Sequence, residues 1–381
     1  MRAGDRVATS LASGLEFAAL LHALPRLAAV LAPLNPAERG RQLEVVCPRL
    51  VVDEPVAGDE ADVTLRSEID PGAVHSVIFT SGTTGEPRPV ELTYRSHHAS
   101  ALASAERLGV EAADRWLCPL PLFHVGGLAI LLRSAIYGTA AVVHDGFDAD
   151  RVRDLLESGG ATLVSLVPTM LARLRDAGLV GAPSLRAILL GGGPAPAELV
   201  DWAVAAGLPV MPTYGMTQTA SQIATADAPG GAGRPLPGVE LRIGDDEEIL
   251  VRGPMVAPGA LAEDGWLHTG DAGRLDEEGL LHVHGRLKEL IVTGGENVAP
   301  AEVEQVLLAH RAVADVAVAG VPDPEWGEAV TAFVVASGEA SPRELADWCR
   351  GRLAPYKVPK AFETVPEIPR NAAGKVQRDR L

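Results

Sequence analysis

Short apolar runs alternate with helical patterns through the first part of the chain. Residues 163–167 form an apolar run, and Pro168 then opens a segment with apolar residues at helical spacing. Apolar runs at 140–143 and 187–190 are each followed at once by Gly or by His and Asp. Such alternation is typical of sheets that carry helices on both faces. The pattern therefore predicts an α/β fold for a large N-terminal domain.

The pattern changes near residue 238. Segments 239–243, 248–253 and 280–285 are short, mix apolar with polar residues, and are punctuated by Gly and Asp. These features are typical of antiparallel strands joined by tight turns. We therefore expect a small β-ribbon or barrel-like part over residues 238–286, which completes a large domain of residues 1–286.

A second unit begins after residues 287–288. An apolar run at 289–292 leads into a Gly-Gly turn, and Pro300 then opens a helical pattern. Strand patterns at 313–321 and 330–335 and a helix pattern at 342–353 follow. The sequence thus predicts a small α+β domain over residues 289–381, which is a usual size for a domain.

Composition limits the possible partners. The 381 residues are 47% hydrophobic, which is enough for large cores, and 33 basic against 50 acidic residues give a net charge of −17. No block of Lys and Arg could neutralise a row of phosphates, so we expect no nucleic-acid partner. A negative chain can still bind an anionic substrate through backbone amides and a few placed cations. Homo-oligomer formation is left open.

The cysteines and the longest apolar stretch indicate a cytoplasmic protein. Cys47, Cys118 and Cys349 are far apart and form no CxxC pair, so we expect reduced, buried thiols. The apolar stretch at 15–34 is interrupted by charged residues and a proline and has no small-residue cleavage site. We expect it to form an amphipathic core helix and not to insert into a membrane.

The strongest local motif is VIFTSGTTGEPR at 77–88, an apolar strand that runs into a turn rich in hydroxyls and glycines. Such a turn can wrap a polyphosphate with backbone N–H groups and hydroxyls. It is not a Walker A loop, because only two residues separate Gly82 from Gly85 and no Gly-Lys-Ser/Thr follows. The alternative is an ordinary surface turn rich in Ser and Thr.

Together with motifs farther along, this turn resembles the acyl-adenylate-forming enzymes, which include acyl- and aryl-CoA synthetases and peptide-synthetase adenylation domains. The resemblance runs from about Gly4 to Leu381. Its motifs, in the family's order, are FTSGTTGEPRPV, PLFHVGGL, GGGPAPAEL, YGMTQTASQ, GWLHTGDAG, GRLKELIVTGGENVAPAEVE and PRNAAGKVQRDRL. The resemblance implies an AMP-forming ligase that uses ATP and Mg²⁺, activates a small-molecule carboxylic acid and passes the acyl group to coenzyme A.

The resemblance also implies a nucleotide site. The positions that match the family's ATP-binding motifs are Thr80, Ser81, Gly82, Thr83, Thr84, Gly85, Arg88, Gly191, Gly192, Gly193, Tyr214, Gly215, Met216, Thr217, Asp271, Arg286 and Lys375. Tyr214 matches a ring that stacks on adenine, and Asp271 a carboxylate that accepts both ribose hydroxyls. Taken alone, Tyr214 is equally suited to a core, Asp271 to a turn and Arg286 to an exposed surface.

Two lysines match catalytic positions of the family. Lys375 matches the lysine that bridges the attacking carboxylate and the α-phosphate, where a point cation stabilises the charge that accumulates as pyrophosphate departs. Lys288 matches the pivot about which the small domain turns between adenylation and thioester formation, so the resemblance implies a hinge near 287–288. Without the surrounding motifs, each would be an ordinary solvated lysine.

The metal site departs from the family pattern. The usual acidic residue after Tyr-Gly-x-Thr is Gln218 here, and its amide oxygen can coordinate a hard cation without supplying charge. The hydroxyl of Thr84 is the second candidate ligand, and Arg88 replaces the usual lysine of the loop. The histidines at 97–98 and at 282 and 284 have no partners at metal-ligand spacing, so we expect them to be structural.

For the acid, the chain most resembles the branch of the family that activates 2-succinylbenzoate in menaquinone biosynthesis. His124 and Gly126, in PLFHVGGL, match positions that line the acyl pocket, where His124 serves as a pocket wall more than as a general base. An aromatic dicarboxylate needs an apolar slot with a few polar anchors. Ser221, Gln222 and Arg133 are the candidate anchors, and each is equally suited to packing.

For the acceptor, the resemblance places Gly294, Gly295 and Glu296 along the path of coenzyme A. The chain ends soon after Lys375 and begins, near Gly4, at a segment that lies tens of residues into typical relatives. We therefore expect free coenzyme A as acceptor and a shortened first subdomain. The alternatives are another acyl- or aryl-CoA synthetase, or a catalytically silent homologue that binds nucleotide or acyl-adenylate.

Overall fold

The computed structural model describes residues 1–56, 65–81, 86–227, 231–370 and 376–381, apart from the side chains of Ser81 and Asp379.

A five-stranded sheet begins the fold. The sheet has the strand order β3-β1-β2-β4-β5, in which only β5 is antiparallel to its neighbour. Its strands are β1 (Arg6–Thr9), β2 (Val30–Pro33), β3 (Leu50–Val52), β4 (Val74–Ser81) and β5 (Pro87–Thr93), and helices α1 (Leu15–Ala23) and α2 (Arg39–Val46) accompany them.

A seven-stranded sheet follows, with the order β12-β11-β10-β9-β8-β6-β7. The five strands from β10 to β7 are parallel, and β11 and β12 are added antiparallel. Its strands are β6 (Arg115–Cys118), β7 (Ala140–Val143), β8 (Leu163–Leu166), β9 (Ala187–Leu190), β10 (Val210–Met216), β11 (Ser221–Thr225) and β12 (Arg234–Pro235). Its helices are α3 (Tyr94–Leu108), α4 (Val125–Tyr137), α5 (Ala149–Glu157), α6 (Pro168–Asp176) and α7 (Ala197–Ala205). The predicted α/β architecture is confirmed.

An antiparallel sheet of four strands in sequence order comes next, within the predicted 238–286 region. Its strands are β13 (Glu240–Ile243), β14 (Glu248–Arg252), β15 (Leu267–Leu275) and β16 (Leu281–Arg286). Immediately after β16, residues Leu287–Glu289 form a short 3-10 helix. This turn leads out of the large α/β part at the predicted hinge position.

The last part of the chain builds its own sheet and core. Strands β17 (Ile291–Thr293), β18 (Glu296–Val298), β19 (Val313–Asp323), β20 (Gly327–Ala336) and β21 (Ala361–Thr364) are joined with helices α8 (Pro300–Leu308) and α9 (Pro342–Arg350). The core between sheet and helices contains Val303, Leu307, Val318, Leu345 and Cys349. Helix α9 has a capping box in which Ser341 and Glu344 satisfy each other's backbone N–H groups.

Two predictions from the sequence were wrong: that the apolar stretch at 15–34 forms one helix, and that Cys47 is buried. The apolar stretch at 15–34 is not one helix: α1 ends at Ala23, a 3-10 turn with Pro25 follows, and the backbone then enters strand β2 after Ala28 adopts a left-handed conformation (φ 55°). Cys47 is exposed, because it ends α2 at a left-handed position (φ 44°), whereas Cys118 and Cys349 are buried. Among the described residues, no helix is long and apolar enough to span a membrane.

Candidate active site

Several of the predicted nucleotide and acyl residues lie at one edge of the seven-stranded sheet. Gly191–Gly193 follow β9 directly, Tyr214 and Gly215 lie near the carboxyl end of β10, and His124 lies between β6 and α4. The carboxyl ends of neighbouring parallel strands are where ligands bind in open α/β sheets. The fold therefore brings motifs from distant parts of the sequence to a common edge.

Close backbone packing explains two of the glycines. A Cβ on Gly191 would lie 2.8 Å from Thr213 Cγ2, and one on Gly215 would lie 2.0 Å from the carbonyl oxygen of Ser221. Gly192 has a positive φ of 83°. A Cβ on Gly193, by contrast, would meet no heavy atom within 4 Å. The carboxyl edge of the sheet thus has no room for a side chain at Gly191 or Gly215, whereas the space around Gly193 is open.

A tyrosine, a carboxylate and a guanidinium form the polar centre of the site. The Tyr214 hydroxyl donates to Asp271 Oδ2 at 2.7 Å, and Arg286 Nε lies 2.9 Å from Asp271 Oδ1. Asp271 on β15 and Arg286 on β16 are cross-strand partners. Burial, together with the Asp271 carboxylate, raises the pKa of Tyr214 above its ordinary value. Asp271 is therefore an oriented acceptor beside a neutral aromatic ring.

The phosphate-binding prediction falls largely outside the described residues. Gly82, Thr83, Thr84, Gly85 and Lys375 lie outside them, as does the side chain of Ser81. On either side of the turn, Thr80 pairs with Arg88 across β4 and β5, and Thr80 Oγ1 lies 3.4 Å from the Arg88 carbonyl oxygen. The hairpin stem that carries the motif is therefore formed.

Between β10 and β11 the chain makes a strained turn. Ala220 and Ser221 both have positive φ, 50° and 102°, although neither is glycine. The Thr219 hydroxyl lies 3.1 Å from the amide nitrogen of Met216 and 2.8 Å from the carbonyl oxygen of Ser221. Such strain persists only where the surroundings hold it, and it occurs often at ligand sites.

The neighbouring Thr217 and Gln218 lie in the 3-10 turn at Thr217–Thr219. The carbonyl oxygen of Gln218 accepts a hydrogen bond from the Ala257 amide at 2.7 Å, so the backbone of this turn is fixed to the segment after β14. The Gln218 side chain is half-buried. Its role as a magnesium ligand stays a prediction.

A buried polar network lies behind the turn. Arg133, on α4, donates to Gln222 Oε1 at 2.6 Å and to Ser100 Oγ at 3.1 Å. Ser100 in turn donates to the carbonyl oxygen of Ala220 at 2.8 Å, and Ser104 donates to Gln222 Oε1 at 3.0 Å. Within the described parts of the chain, Arg133 has no carboxylate partner, and its Nε is buried without a hydrogen-bond partner.

The surroundings of Gln222 and Arg133 bear on their predicted role as anchors for the acid. Gln222 Nε2 donates to Thr225 Oγ1 at 2.9 Å, so both ends of this amide are engaged by protein groups. Burial lowers the pKa of Arg133 from its ordinary value, yet a guanidinium remains charged at neutral pH. Arg133 is thus a buried positive charge that contacts Gln222, the residue after Ser221. That any of the three contacts substrate stays a prediction.

Sequence reasoning did not single out Ser100 and Ser104. They share one face of α3 with Ser96 at a spacing of four residues, and all three are buried. A polar stripe at i, i+4 and i+8 in a helix that must pack against others is the sequence signal for such a network. That stripe is visible in the letters SHHASALAS at 96–104.

His124 precedes α4 and packs its ring against Phe123, with ring centroids 4.6 Å apart. Desolvation lowers the pKa of His124 below its ordinary value, so the ring is neutral at physiological pH. Gly126 follows in the first turn of α4. A neutral ring suits the predicted pocket wall, which stays a prediction.

The residues predicted for the pivot and for the coenzyme A path lie at and just after the 3-10 turn at Leu287–Glu289. Lys288 is exposed in the 3-10 turn after β16. Gly294 and Gly295, with φ of 59° and 85°, form the tight turn between β17 and β18, and Glu296 pairs with Thr293 across it. A Cβ on Gly294 would lie 3.0 Å from the Trp326 ring. Their roles in thioester formation remain predictions.

Several of the remaining histidines are buried or have protein partners. Ser76 Oγ and His97 Nε2 are 2.8 Å apart, and Asp276 Oδ2 and His282 Nε2 are 2.7 Å apart. Burial lowers the pKa of His75 to about 4. In the described segments, no cluster of His, Cys, Asp and Glu could hold a metal ion.

Comparison with known families matches this chain to a class of enzymes. Residues 43–261 match the family model described as AMP-binding enzyme, and residues 302–375 match the one described as AMP-binding enzyme C-terminal domain. The first match covers more than half of the chain. The chain belongs to the AMP-binding enzyme family.

Full-length relatives narrow the class. The chain is 40% identical over 430 residues to 2-succinylbenzoate–CoA ligase of Bacillus cereus (strain ATCC 10987 / NRS 248), covering 100% of this chain and 89% of the relative. It is also similar to o-succinylbenzoate CoA synthetase of Bacillus subtilis in complex with the acyl-adenylate intermediate OSB-AMP, with a TM-score of 0.91 and 38% identity over 100% of this chain and 88% of that one.

A second structure of the Bacillus subtilis enzyme has a lower TM-score to this chain. The double mutant bound to the product analogue OSB-NCoA has a TM-score of 0.71 at 37% identity, covering 100% of this chain and 88% of that one. Identity to this chain is nearly the same in the two complexes. The chain is therefore more similar in overall structure to the acyl-adenylate complex than to the product-analogue complex.

Proposed function

We propose that this chain is a cytoplasmic AMP-forming ligase that joins 2-succinylbenzoate to coenzyme A. In the first step a carboxylate oxygen of the acid attacks the α-phosphorus of ATP, the bond from that phosphorus to the bridging oxygen breaks, and pyrophosphate leaves. In the second step the sulfur of coenzyme A attacks the acyl carbonyl, AMP leaves with its oxygen, and the thiol proton is released.

The observation that carries the proposal is the Tyr214–Asp271–Arg286 cluster at the carboxyl edge of the parallel strands. A buried carboxylate fixed by a hydroxyl and a guanidinium is an oriented acceptor for two vicinal hydroxyls. The neutral Tyr214 ring and the open space at Gly193 suit a flat base. A ribonucleotide satisfies both requirements at once.

Two residues act on the leaving phosphates in this proposal. Lys375 bridges the attacking carboxylate and the α-phosphate, and Arg88 follows the phosphate-binding turn. The donor set suits Mg²⁺ bound mainly through phosphate oxygens, because Gln218 offers a neutral amide oxygen. The metal, when bound, would neutralise charge on the departing pyrophosphate, with Gln218 and Thr84 as the protein groups that hold it.

The choice of acid rests on charge. The acid of the Bacillus relatives retains a second carboxylate after one is adenylated. Arg133 is a buried cation without a carboxylate partner in the described structure, next to the turn that carries Ser221. An uncompensated buried charge favours a substrate of opposite sign because desolvation weakens competition from water. A monocarboxylic acid would leave that charge unbalanced.

A paired assay tests both parts. We expect acid-dependent pyrophosphate exchange with 2-succinylbenzoate, AMP release that depends on coenzyme A, and much slower exchange with a phenyl keto-acid of the same length that lacks the ring carboxylate. Lys375→Ala should remove exchange while sparing thioester formation from supplied acyl-adenylate. AMP release independent of thiol would contradict the ligase.

The competing functions give different outcomes. Faster exchange with the monocarboxylic acid would favour another acyl- or aryl-CoA synthetase. ATP binding with no exchange at any magnesium concentration would favour a silent nucleotide-binding homologue, which is worth testing because Gln218 removes a negative charge from the metal site.

A further inference from the structure

The two flanks of residues 371–375 are held side by side on the small domain. The backbones of Arg370 and Val376 form an antiparallel bridge, and the Gln377 amide donates to the Pro369 carbonyl oxygen at 2.8 Å. Arg370 Nη2 contacts both carboxylate oxygens of Asp315 on β19, at 2.8 and 3.0 Å. The first flank is therefore fixed to β19.

The second flank is fixed by a different arginine. Arg378 donates from Nη2 to Glu304 Oε1 at 2.6 Å, from Nε to the Val318 carbonyl oxygen at 3.0 Å, and from Nη1 to Glu289 Oε2 at 3.2 Å. Its side chain is only 20% exposed. Hydrogen bonds from a planar guanidinium to two carboxylates define both position and orientation.

The two carboxylates belong to different elements. Glu304 lies on α8, whereas Glu289 is the last residue of the 3-10 turn at Leu287–Glu289 and directly follows Lys288. Arg378 therefore connects the pivot to the C-terminal segment. Arg378 follows Lys375 by three residues, which an extended chain spans in about 10 Å.

We propose that Arg378 is a positioning residue for adenylation, which holds the segment carrying Lys375 to the pivot so that lysine and pivot move as one body. This inference rests on the proposed function, in which Lys375 acts at the α-phosphate. Replacing Arg378 by a neutral residue removes the one guanidinium that contacts both Glu289 and Glu304. The pivot and the lysine segment then lose their common support.

The first test needs no substrate. Hydrogen–deuterium exchange by mass spectrometry compares the intact wild-type protein with Arg378→Met, Glu289→Gln and Asp315→Asn. We expect the first two variants to raise exchange both at residues 287–292 and in the C-terminal segment. Asp315→Asn, the matched control, should loosen the C-terminal segment without affecting the pivot. Wild-type exchange at the pivot in Arg378→Met would overturn the proposal, whatever the activity.

The second test separates the half-reactions. Because a misplacement of 1 Å can cost about 100-fold in rate, we expect Arg378→Met to lower the rate of pyrophosphate exchange by about 10- to 100-fold. Thioester formation from supplied acyl-adenylate should continue at the wild-type rate, and Arg378→Lys should recover part of the loss. An equal fall in both half-reactions would show that Arg378 only stabilises the fold. A wild-type protein without acid-dependent exchange would instead refute the proposed function, and hydrogen exchange would still decide whether Arg378 holds the pivot.

Discussion

Gly215 gives the sharpest test of how the site is built. A Cβ at this position would lie 2.0 Å from the Ser221 carbonyl oxygen and 2.8 Å from Gln222 Cα, and both are backbone atoms. Ordinary contacts are about 3.5 Å, so Gly215→Ala must displace β10 or β11 by more than about 1 Å. The opposing strand is fixed by the bond from Ser100 to Ala220, so relaxation is limited. Overpacking typically costs about 1–3 kcal/mol, and we expect the upper end of that range.

Two measurements on the Gly215→Ala variant check this reasoning. Thermal unfolding should show a clearly lower Tm, and pyrophosphate exchange at saturating ATP should fall about 100-fold, because the turn that carries Ser221 moves by about 1 Å. Gly193→Ala is the matched control, since its Cβ would meet nothing within 4 Å and should change stability by less than about 0.5 kcal/mol. A Gly215→Ala enzyme with wild-type Tm and exchange would refute the packing argument.

Two further substitutions, His268→Gln and Gln218→Glu, test the effect of single charges on stability and on magnesium binding. Hydrogen bonds to Glu248 and then to Asp264 raise the pKa of His268, so the stabilisation is fully present below the unfolded pKa and is lost as pH rises through the raised folded pKa. The Tm difference between wild type and His268→Gln should thus be largest below the ordinary histidine pKa of about 6.5 and shrink as pH rises above it; a difference that grows with pH would contradict this. Gln218→Glu should lower the Mg²⁺ concentration for half-maximal exchange about tenfold, for about 1.4 kcal/mol of added attraction, and an unchanged requirement would remove Gln218 from the metal site.

Local signals predicted much of the fold. Short apolar runs before Gly or His gave strands such as Ala187–Leu190, and Pro168 and Pro300 begin α6 and α8 as expected. The prediction for the apolar stretch at 15–34 was wrong because its length suggested one helix, whereas Pro25 and a left-handed Ala28 divide it into a helix and a buried strand. Apolar content alone does not separate these outcomes.

The candidate site was also predicted only in part from the sequence. Motif residues at strand ends, such as Asp271 and Tyr214, are brought together because topology aligns the ends of neighbouring elements. Pairs that join distant segments were not predicted: Arg133 contacts Gln222 and Arg378 contacts Glu289, each across 89 positions. A single sequence does not show which residues pair at such a separation, because a polar residue taken alone is equally suited to an exposed surface.

The cores of the two halves are self-contained. Within the described chain, each hydrophobic cluster lies wholly before residue 287 or wholly after residue 290. Turning one half against the other about this junction would therefore leave each of these apolar cores intact. For the same reason heat can melt the halves separately, so calorimetry should resolve two transitions instead of a single cooperative one.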